Sequence, residues 1–283
     1  GRVDLVPVQR EATVQDLLRH TAGFTYGIFG ASLVKSSYNA AGIGGPDITN
    51  QSLIEKLGTL PLESQPGTTW EYSRATDILG RLVEVWSGQS LGKFLAEKIF
   101  TPLGMVDSAF VVPPAQHGRI AEPFGHDPDG GVLMKMSDIR NPSAMESGGG
   151  GLVSTAGDYM RFCRMMLGGG TLAGERLLGR KTVALMTSNH LRGDMAAMGQ
   201  ARFSESSYEG IGFGLGFSVM LDPARAQIVG TPGEYAWGGA ASTAFWIDPA
   251  EDIAVVLLTQ LMPSSTYPIR KELRVLTYAA LAG

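Results

Sequence analysis

The sequence predicts an α+β fold, and three patterns predict it. Apolar residues recur at helical spacing in the first two thirds of the chain, most clearly Ala75, Ile78, Leu79, Leu82 and Trp86. After residue 210 the period drops to two: Ile211, Phe213, Leu215, Phe217, Val219 and Leu221 alternate with Gly212, Gly214, Gly216, Ser218 and Met220. Two more apolar stretches, Tyr235 to Ile247 and Ile253 to Gln260, flank a turn at Asp248–Asp252 and so pair antiparallel. The expectation is a mainly helical region over 1–205 and a region of antiparallel strands with a closing helix over 206–283, together one unit.

Each element has its own signal. Thr13 with Asp16 caps a short helix carrying Leu17 and Leu18, which stops at His20–Gly23. Phe24 to Pro46 reads as a long loop rich in Gly and aromatics. Ser52 with Glu55 suggests a capping box for a helix to Leu60. The strongest helix runs from about Arg74 to Trp86, and Gly88 closes it. Ser90 caps the next, to Phe100. Residues 104–150 look loop-dominated, and Thr155 with Asp158 caps a helix ended by Gly168–Gly170. The Ile211–Leu221 run reads as one strand with a large apolar face and a nearly bare one, so a covering element must pack close to the bare face. Pro268 opens a final amphipathic helix through Ile269, Leu273, Leu276 and Ala280.

Composition excludes several functions. With 27 acidic against 23 basic residues the net charge is −4, and no basic run offers a nucleic-acid groove. The single cysteine, Cys163, forms no internal disulfide. The longest aliphatic run, Ile253–Leu258, is far too short to span a bilayer. Glycine supplies 38 of 283 residues, nearly twice the usual ~7%, which signals tight turns and close backbone approaches. The chain begins with Gly1 and shows no signal-peptide pattern, so a processed product or a fragment is expected. The cytoplasm is favoured as compartment, with the periplasm or secretion open if a leader lies upstream.

Several residues invite a catalytic reading. Gly88-Gln89-Ser90-Leu91-Gly92 matches G-x-S-x-G, but that motif works at a strand-to-helix turn and here a helix precedes it; Ser90 reads as an N-cap. Ser32-x-x-Lys35 and Ser90-x-x-Lys93 both match S-x-x-K, a pair that needs a helix in a pocket floor and a desolvated lysine. Ser32 falls in the predicted loop, without a helical frame. His20, His117, His126 and His190 lack zinc-site spacing, so no metal is expected; His20 reads as structural, at a helix end. Two segments say more. Tyr72 falls at the start of the longest helix, where the dipole favours a phenolate. Trp237-Gly238-Gly239-Ala240 lies on a predicted strand, where two glycines let a ligand approach a backbone N–H. Packing explains both equally well: Tyr72 as a core tyrosine, the glycines as a bulge.

Segments 13–24 (TVQDLLRHTAGF), 66–73 (PGTTWEYS), 76–88 (TDILGRLVEVWSG), 102–105 (PLGM), 150–158 (GGLVSTAGD), 237–240 (WGGA) and 246–249 (WIDP) resemble, in unbroken order, the serine β-lactamase and penicillin-binding-protein superfamily. The nearest branch is the class C-like one, with family VIII carboxylesterases and related transesterases. The resemblance implies a β-lactamase-like fold: an antiparallel sheet flanked by helices, with a mainly helical second subdomain. It also implies three motifs. The S-x-x-K with the acylated serine belongs upstream of Leu17–His20, so the N-terminal part of the fold is expected to be absent from this chain and supplied by a precursor segment or a second chain. Tyr72-Ser73-Arg74 resembles Tyr-x-Asn, making Tyr72 the catalytic tyrosine and Arg74, in place of Asn, a substrate-binding residue. Trp237-Gly238-Gly239 resembles the W-G-G variant of K-T-G, making all three substrate-binding, with the N–H of Ala240 as oxyanion donor.

A lysine in place of Trp237 would pair with a β-lactam carboxylate; tryptophan supplies area and a donor without charge. The expected substrates are therefore neutral small-molecule esters or related amides, with weak β-lactam turnover and no cofactor. Phe24, Tyr26, Phe29 and Phe124 would add apolar walls. Tyr72 would be activated by neighbouring positive charge and low dielectric. The alternative is a non-catalytic binding or scaffold module on the same fold.

Overall fold

A computed structural model of the chain describes residues 3–45, 47–123, 138–199, 208–264 and 266–281. Helix α1 (Val14–Leu18) starts at a Thr13–Asp16 capping box, which satisfies backbone N–H groups that the first turn leaves free. α2 (Leu33–Ala40), α3 (Asn50–Leu57) and the long α4 (Ala75–Ser87) follow. α4 ends at Gly88 in the left-handed conformation, φ 68°. α5 (Leu91–Leu95) continues through a π-helical turn at Ala96–Phe100 into α6 (Thr101–Leu103). α7 (Ala156–Leu167) is capped by Thr155. The small hairpin β1 (Thr171–Leu172) and β2 (Glu175–Arg176) leads to α8 (Arg180–Met186) and α9 (Met195–Met198).

The sheet comes last. β3 (Ile211–Phe213), β4 (Ser218–Met220), β5 (Tyr235–Gly238), β6 (Ala244–Asp248) and β7 (Ile253–Leu257) lie side by side in chain order, every pair antiparallel. The short α10 (Pro223–Ala226) links β4 to β5, and α11 (Ile269–Ala279) follows β7. Period two sorts the strand residues. Tyr235 and Trp237 oppose Ile247 and Phe245, so these four share one face. That face joins Phe217, Val219, Cys163, Met165, Met166, Phe100, Leu103 and Met105 in the largest core cluster. Each fully buried side chain of this size contributes roughly 1.5–3 kcal/mol. The opposite face carries Trp246 and Asp248, over which α11 lies: the Arg274 guanidinium stacks 4.6 Å from the Trp246 ring, and the Tyr278 hydroxyl lies 2.7 Å from Asp248 Oδ2.

The structure corrects four expectations. Residues 24–46 are not all loop: Ser32 caps α2, whose sequence LVKSSYNA has too few apolar positions to show a period. The box of α3 is formed by Thr49 with Ser52, not by Ser52 with Glu55. Residues 211–221 are two strands, not one. The chain reverses at 214–217, and the alternation of glycine with bulky residues simply continues through the turn. Residues 235–247 are likewise a hairpin, β5 and β6. The bare face also has its cover: a Cβ at Gly212 would collide with the Asn189 side chain and one at Gly214 with the Met186 carbonyl, so the segment leaving α8 fills that space.

The expected boundary at 205/206 lies outside the described residues, as do Phe124 and His126. α7, from before that boundary, packs directly on β6 and β7 after it. Among the described residues no helix is long and apolar enough to cross a membrane.

Candidate active site

Residues 69–73 follow the 66–68 turn as an extended strap into α4, and backbone bonds hold the whole segment on alternate sides. Gly67 N–H donates to Thr21 O (2.7 Å), Trp70 N–H to Met198 O (2.8 Å) and Glu71 N–H to His20 O (2.9 Å). Trp70 and Glu71 are thereby buried, and Tyr72 emerges half-buried before α4. Its ring sits among four others: centroids lie 4.8 Å from His20, 5.1 Å from Tyr26, 5.2 Å from Trp237 and 6.1 Å from Phe29. Trp70 and Phe213 close the box behind Trp237. Three separate stretches of chain thus bring together Tyr72, Trp237 and Phe29.

The electrostatics of Tyr72 differ from expectation. Burial raises its pKa above the ordinary value; hydrogen bonds from the Trp237 side chain and from Tyr26 pull the other way, and Asp77 adds to the rise. The phenol is therefore neutral at rest, and the helix dipole does not make it a phenolate. Tyr26 is pushed up as well, first by burial, in keeping with an O–H that donates to Tyr72. His20, buried and held at φ 56°, has its pKa lowered to about 3 by burial and is a neutral ring.

Arg74 spends its charge inside the protein. Its guanidinium stacks 4.9 Å from the Tyr26 centroid and pairs with Asp77 at 3.2 Å. Asp77 also accepts from Ser147 Oγ (2.5 Å) and Gly149 N–H (3.1 Å), which ties the α4 N-terminus to the 147–149 turn.

On β5 the two glycines answer to protein neighbours. A Cβ at Gly238 would meet the Arg270 guanidinium at 3.0 Å, and one at Gly239 would collide with the Thr243 hydroxyl. Arg270 also donates to Gly239 O (2.6 Å), and Gly239 N–H to Thr243 O (2.9 Å). Ala240 is exposed on the β5–β6 turn.

The two S-x-x-K matches are helix caps. Ser90 Oγ accepts from Lys93 N–H (3.3 Å), while the Lys93 ammonium reaches exposed Glu97 at 3.9 Å. Ser32 Oγ accepts from Lys35 N–H (3.0 Å) and donates to Glu63 (2.8 Å). The buried Lys35 ammonium goes to Glu71 Oε1 (3.0 Å), which also accepts from Thr25 Oγ1 (2.9 Å). In neither match does the lysine ammonium turn to the serine. The Lys35–Glu71 pair was not foreseen. Nothing in the spacing of two residues so far apart signals it, yet it fastens the loop bearing Tyr26 and Phe29 to the residue beside Tyr72. Among the described residues no group of His, Cys, Asp and Glu could hold a metal ion.

Residues 4–279 match the beta-lactamase family. Protein Rv1367c of Mycobacterium tuberculosis is 34% identical over 98% of this chain and 67% of its own length. Esterase EstB of Burkholderia gladioli is 32% identical over 87% of this chain and 64% of its own. Among solved structures, simvastatin synthase (LovD) from Aspergillus terreus superposes with a TM-score of 0.76 at 25% identity, covering all of this chain and 72% of that one. The chain spans about two thirds of the length of these curated relatives. On the order of its elements, the placement of its strap and sheet, and these likenesses, the chain belongs to the beta-lactamase family.

Proposed function

We propose that this protein is a serine hydrolase that cleaves neutral carboxylic esters through an acyl-enzyme. The observation that carries the reading is the hydroxyl of Tyr72, a neutral phenol held by Trp237 and Tyr26 in an aromatic box that has no cation facing it from position 237. The attacking serine belongs to an S-x-x-K segment outside these 283 residues. Three features support this: both internal S-x-x-K serines are engaged as caps; no residue of α11 is buried; and β7 stands at the edge of the sheet, where a further strand could pair.

In the proposed reaction the serine oxygen adds to the ester carbonyl and its proton passes to the lysine–Tyr72 pair. Collapse of the tetrahedral adduct breaks the C–O bond, and the Tyr72 hydroxyl delivers the proton to the departing alkoxide. Water then attacks the acyl-enzyme and gives its proton to Tyr72; the acyl C–O bond to the serine breaks, the acid leaves, and the proton held by the lysine returns to the serine oxygen. The N–H groups of the serine and of Ala240 face the oxyanion. Phe29, Tyr26, Trp237 and the Gly238–Gly239 backbone line the acyl side. Arg74 acts through Tyr26, which it stacks upon, rather than on the substrate.

The test is turnover of short-acyl aryl esters beside a cephalosporin by the protein carrying its S-x-x-K segment, with a fluorophosphonate adduct mapped by peptide mass. Ester hydrolysis with weak or no β-lactam turnover, and no adduct at Ser32 or Ser90, is expected. Cephalosporin hydrolysis with negligible ester hydrolysis would contradict the substrate class, and an adduct on Ser32 or Ser90 would contradict the placement of the nucleophile.

A further inference from the structure

A cleft of about 520 Å³ opens between the residues before α1, the 66–68 turn and the segment from α8 to α9. It shares no lining residue with the aromatic box. Its lining includes three arginines, Arg10, Arg19 and Arg192, together with His190 and Thr68. Among the described residues that line it there is no carboxylate.

Two of the guanidiniums are fixed in place by one buried acid. Arg10 grips Asp16 with both terminal nitrogens, Nη1 at 2.6 Å and Nη2 at 2.9 Å. Arg19 reaches Asp16 at 2.9 Å, Thr21 Oγ1 at 2.9 Å and His190 O at 2.8 Å. Asp16 lies underneath, buried, and accepts from Thr13 as well. Burial alone would raise its pKa, yet the bonds from Arg10, Thr13 and Arg19 hold it far below the carboxylate range, so it stays charged.

Each of the two arginines keeps N–H donors that these bonds do not use, since a guanidinium has five. Gly67, at φ 85°, leaves room for this arrangement: a Cβ there would collide with the Arg10 guanidinium. Arg192 is exposed and makes no ion pair among the described residues. His190 is held within the protein, its Nε2 2.8 Å from Leu185 O and its Nδ1 3.2 Å from the Gln15 side-chain amide. Two guanidiniums fixed on one carboxylate, with the exposed Arg192 beside them, leave a cationic concavity on a chain whose net charge is −4.

The geometry points to a binding site for a small organic oxyanion, a carboxylate or phosphate group carried on a larger molecule, gripped by Arg10, Arg19 and Arg192. Planar guanidinium forks match both groups. The volume exceeds that of a bare ion and falls in the range of small-molecule pockets. The inference does not rest on the role of Tyr72.

Titration calorimetry and thermal melts of the protein carrying its S-x-x-K segment, with inorganic phosphate and with succinate, test it, each against sodium chloride at matched ionic strength. Saturable binding and a rise in Tm are expected with at least one of the two probes, weakening as salt is added. Arg192→Gln, at an exposed position, should keep the fold and lower the affinity about tenfold or more, the loss of a charge-assisted bond. Arg192→Lys should lose less. Stronger binding of one probe would tell phosphate from carboxylate as the group recognised. An equal Tm rise in chloride, no saturation with either probe, or unchanged affinity in Arg192→Gln would overturn the proposal.

Discussion

Tyr72 is enclosed by rings from distant stretches of chain, while on the opposite face of the sheet α11 is held chiefly by polar side chains. Around Tyr72 the rings of His20, Trp70, Phe213 and Trp237 pack within about one ring-width of each other. Across the sheet, Arg274 pairs with Glu234, and the Tyr278 hydroxyl lies 2.7 Å from both Glu234 Oε2 and Asp248 Oδ2. Two apolar residues of α11 stay out, Val275 at 50% and Leu276 at 67% exposure, and none of its residues is fully buried. The outer layer is anchored but not sealed. Pre-organisation of the site thus depends on the inner layer, and the outer layer tolerates change.

The largest test of that contrast is a pair of truncations. Trp70→Ala removes a side chain 2% exposed at the back of the box and should cost about 3–5 kcal/mol of unfolding free energy. Leu276→Ala should change it by no more than about 0.5 kcal/mol. Denaturant unfolding followed by circular dichroism reads both. Comparable losses would mean that α11 is packed as tightly as the box.

A second test uses pH. Unfolded, His20 takes up a proton near 6.5; folded, burial lowers its pKa to about 3. Between those values the unfolded chain holds the extra proton, so stability falls as pH falls, by up to ~1.4 kcal/mol per pH unit. The contribution is fully present above 6.5. In His20→Asn, which suits the positive φ, that part of the acid slope should vanish. The same slope in the variant would mean that other groups carry it.

Much of this was legible in the sequence where the signal is local. The Thr13–Asp16 box, the run of α4 into Gly88 and the cap at Ser90 each announce themselves within a few residues. α2 did not, because its sequence carries no regular apolar stripe: it buries Tyr38 together with Lys35, whose charge is paired with the distant Glu71. The first hairpin was hidden because bulky residues and glycines go on alternating through its turn although the faces swap there, Ile211 pairing with Met220 and Gly212 with Val219; the second was hidden because Tyr235 and Trp237 pair with Ile247 and Phe245, which keeps the odd positions on one face. In the site, Tyr72, Trp237 and Phe29 could be named from their segments. The elevated pKa of Tyr72, the turning of Arg74 toward Tyr26, and the Lys35–Glu71 pair depend on which side chains meet across the fold, and no spacing rule encodes that.

The most direct measurement is Tyr72→Phe in the protein with its S-x-x-K segment, with kcat and Tm determined together. Phenylalanine keeps the ring among His20, Tyr26, Phe29 and Trp237 and removes only the hydroxyl. If that hydroxyl moves the proton, kcat for ester hydrolysis should fall by about 10²–10⁴-fold, while stability changes by no more than the roughly 1 kcal/mol of a lost hydrogen bond. Near-normal kcat with a lowered Tm would make Tyr72 a packing residue, and would favour a binding module over a hydrolase.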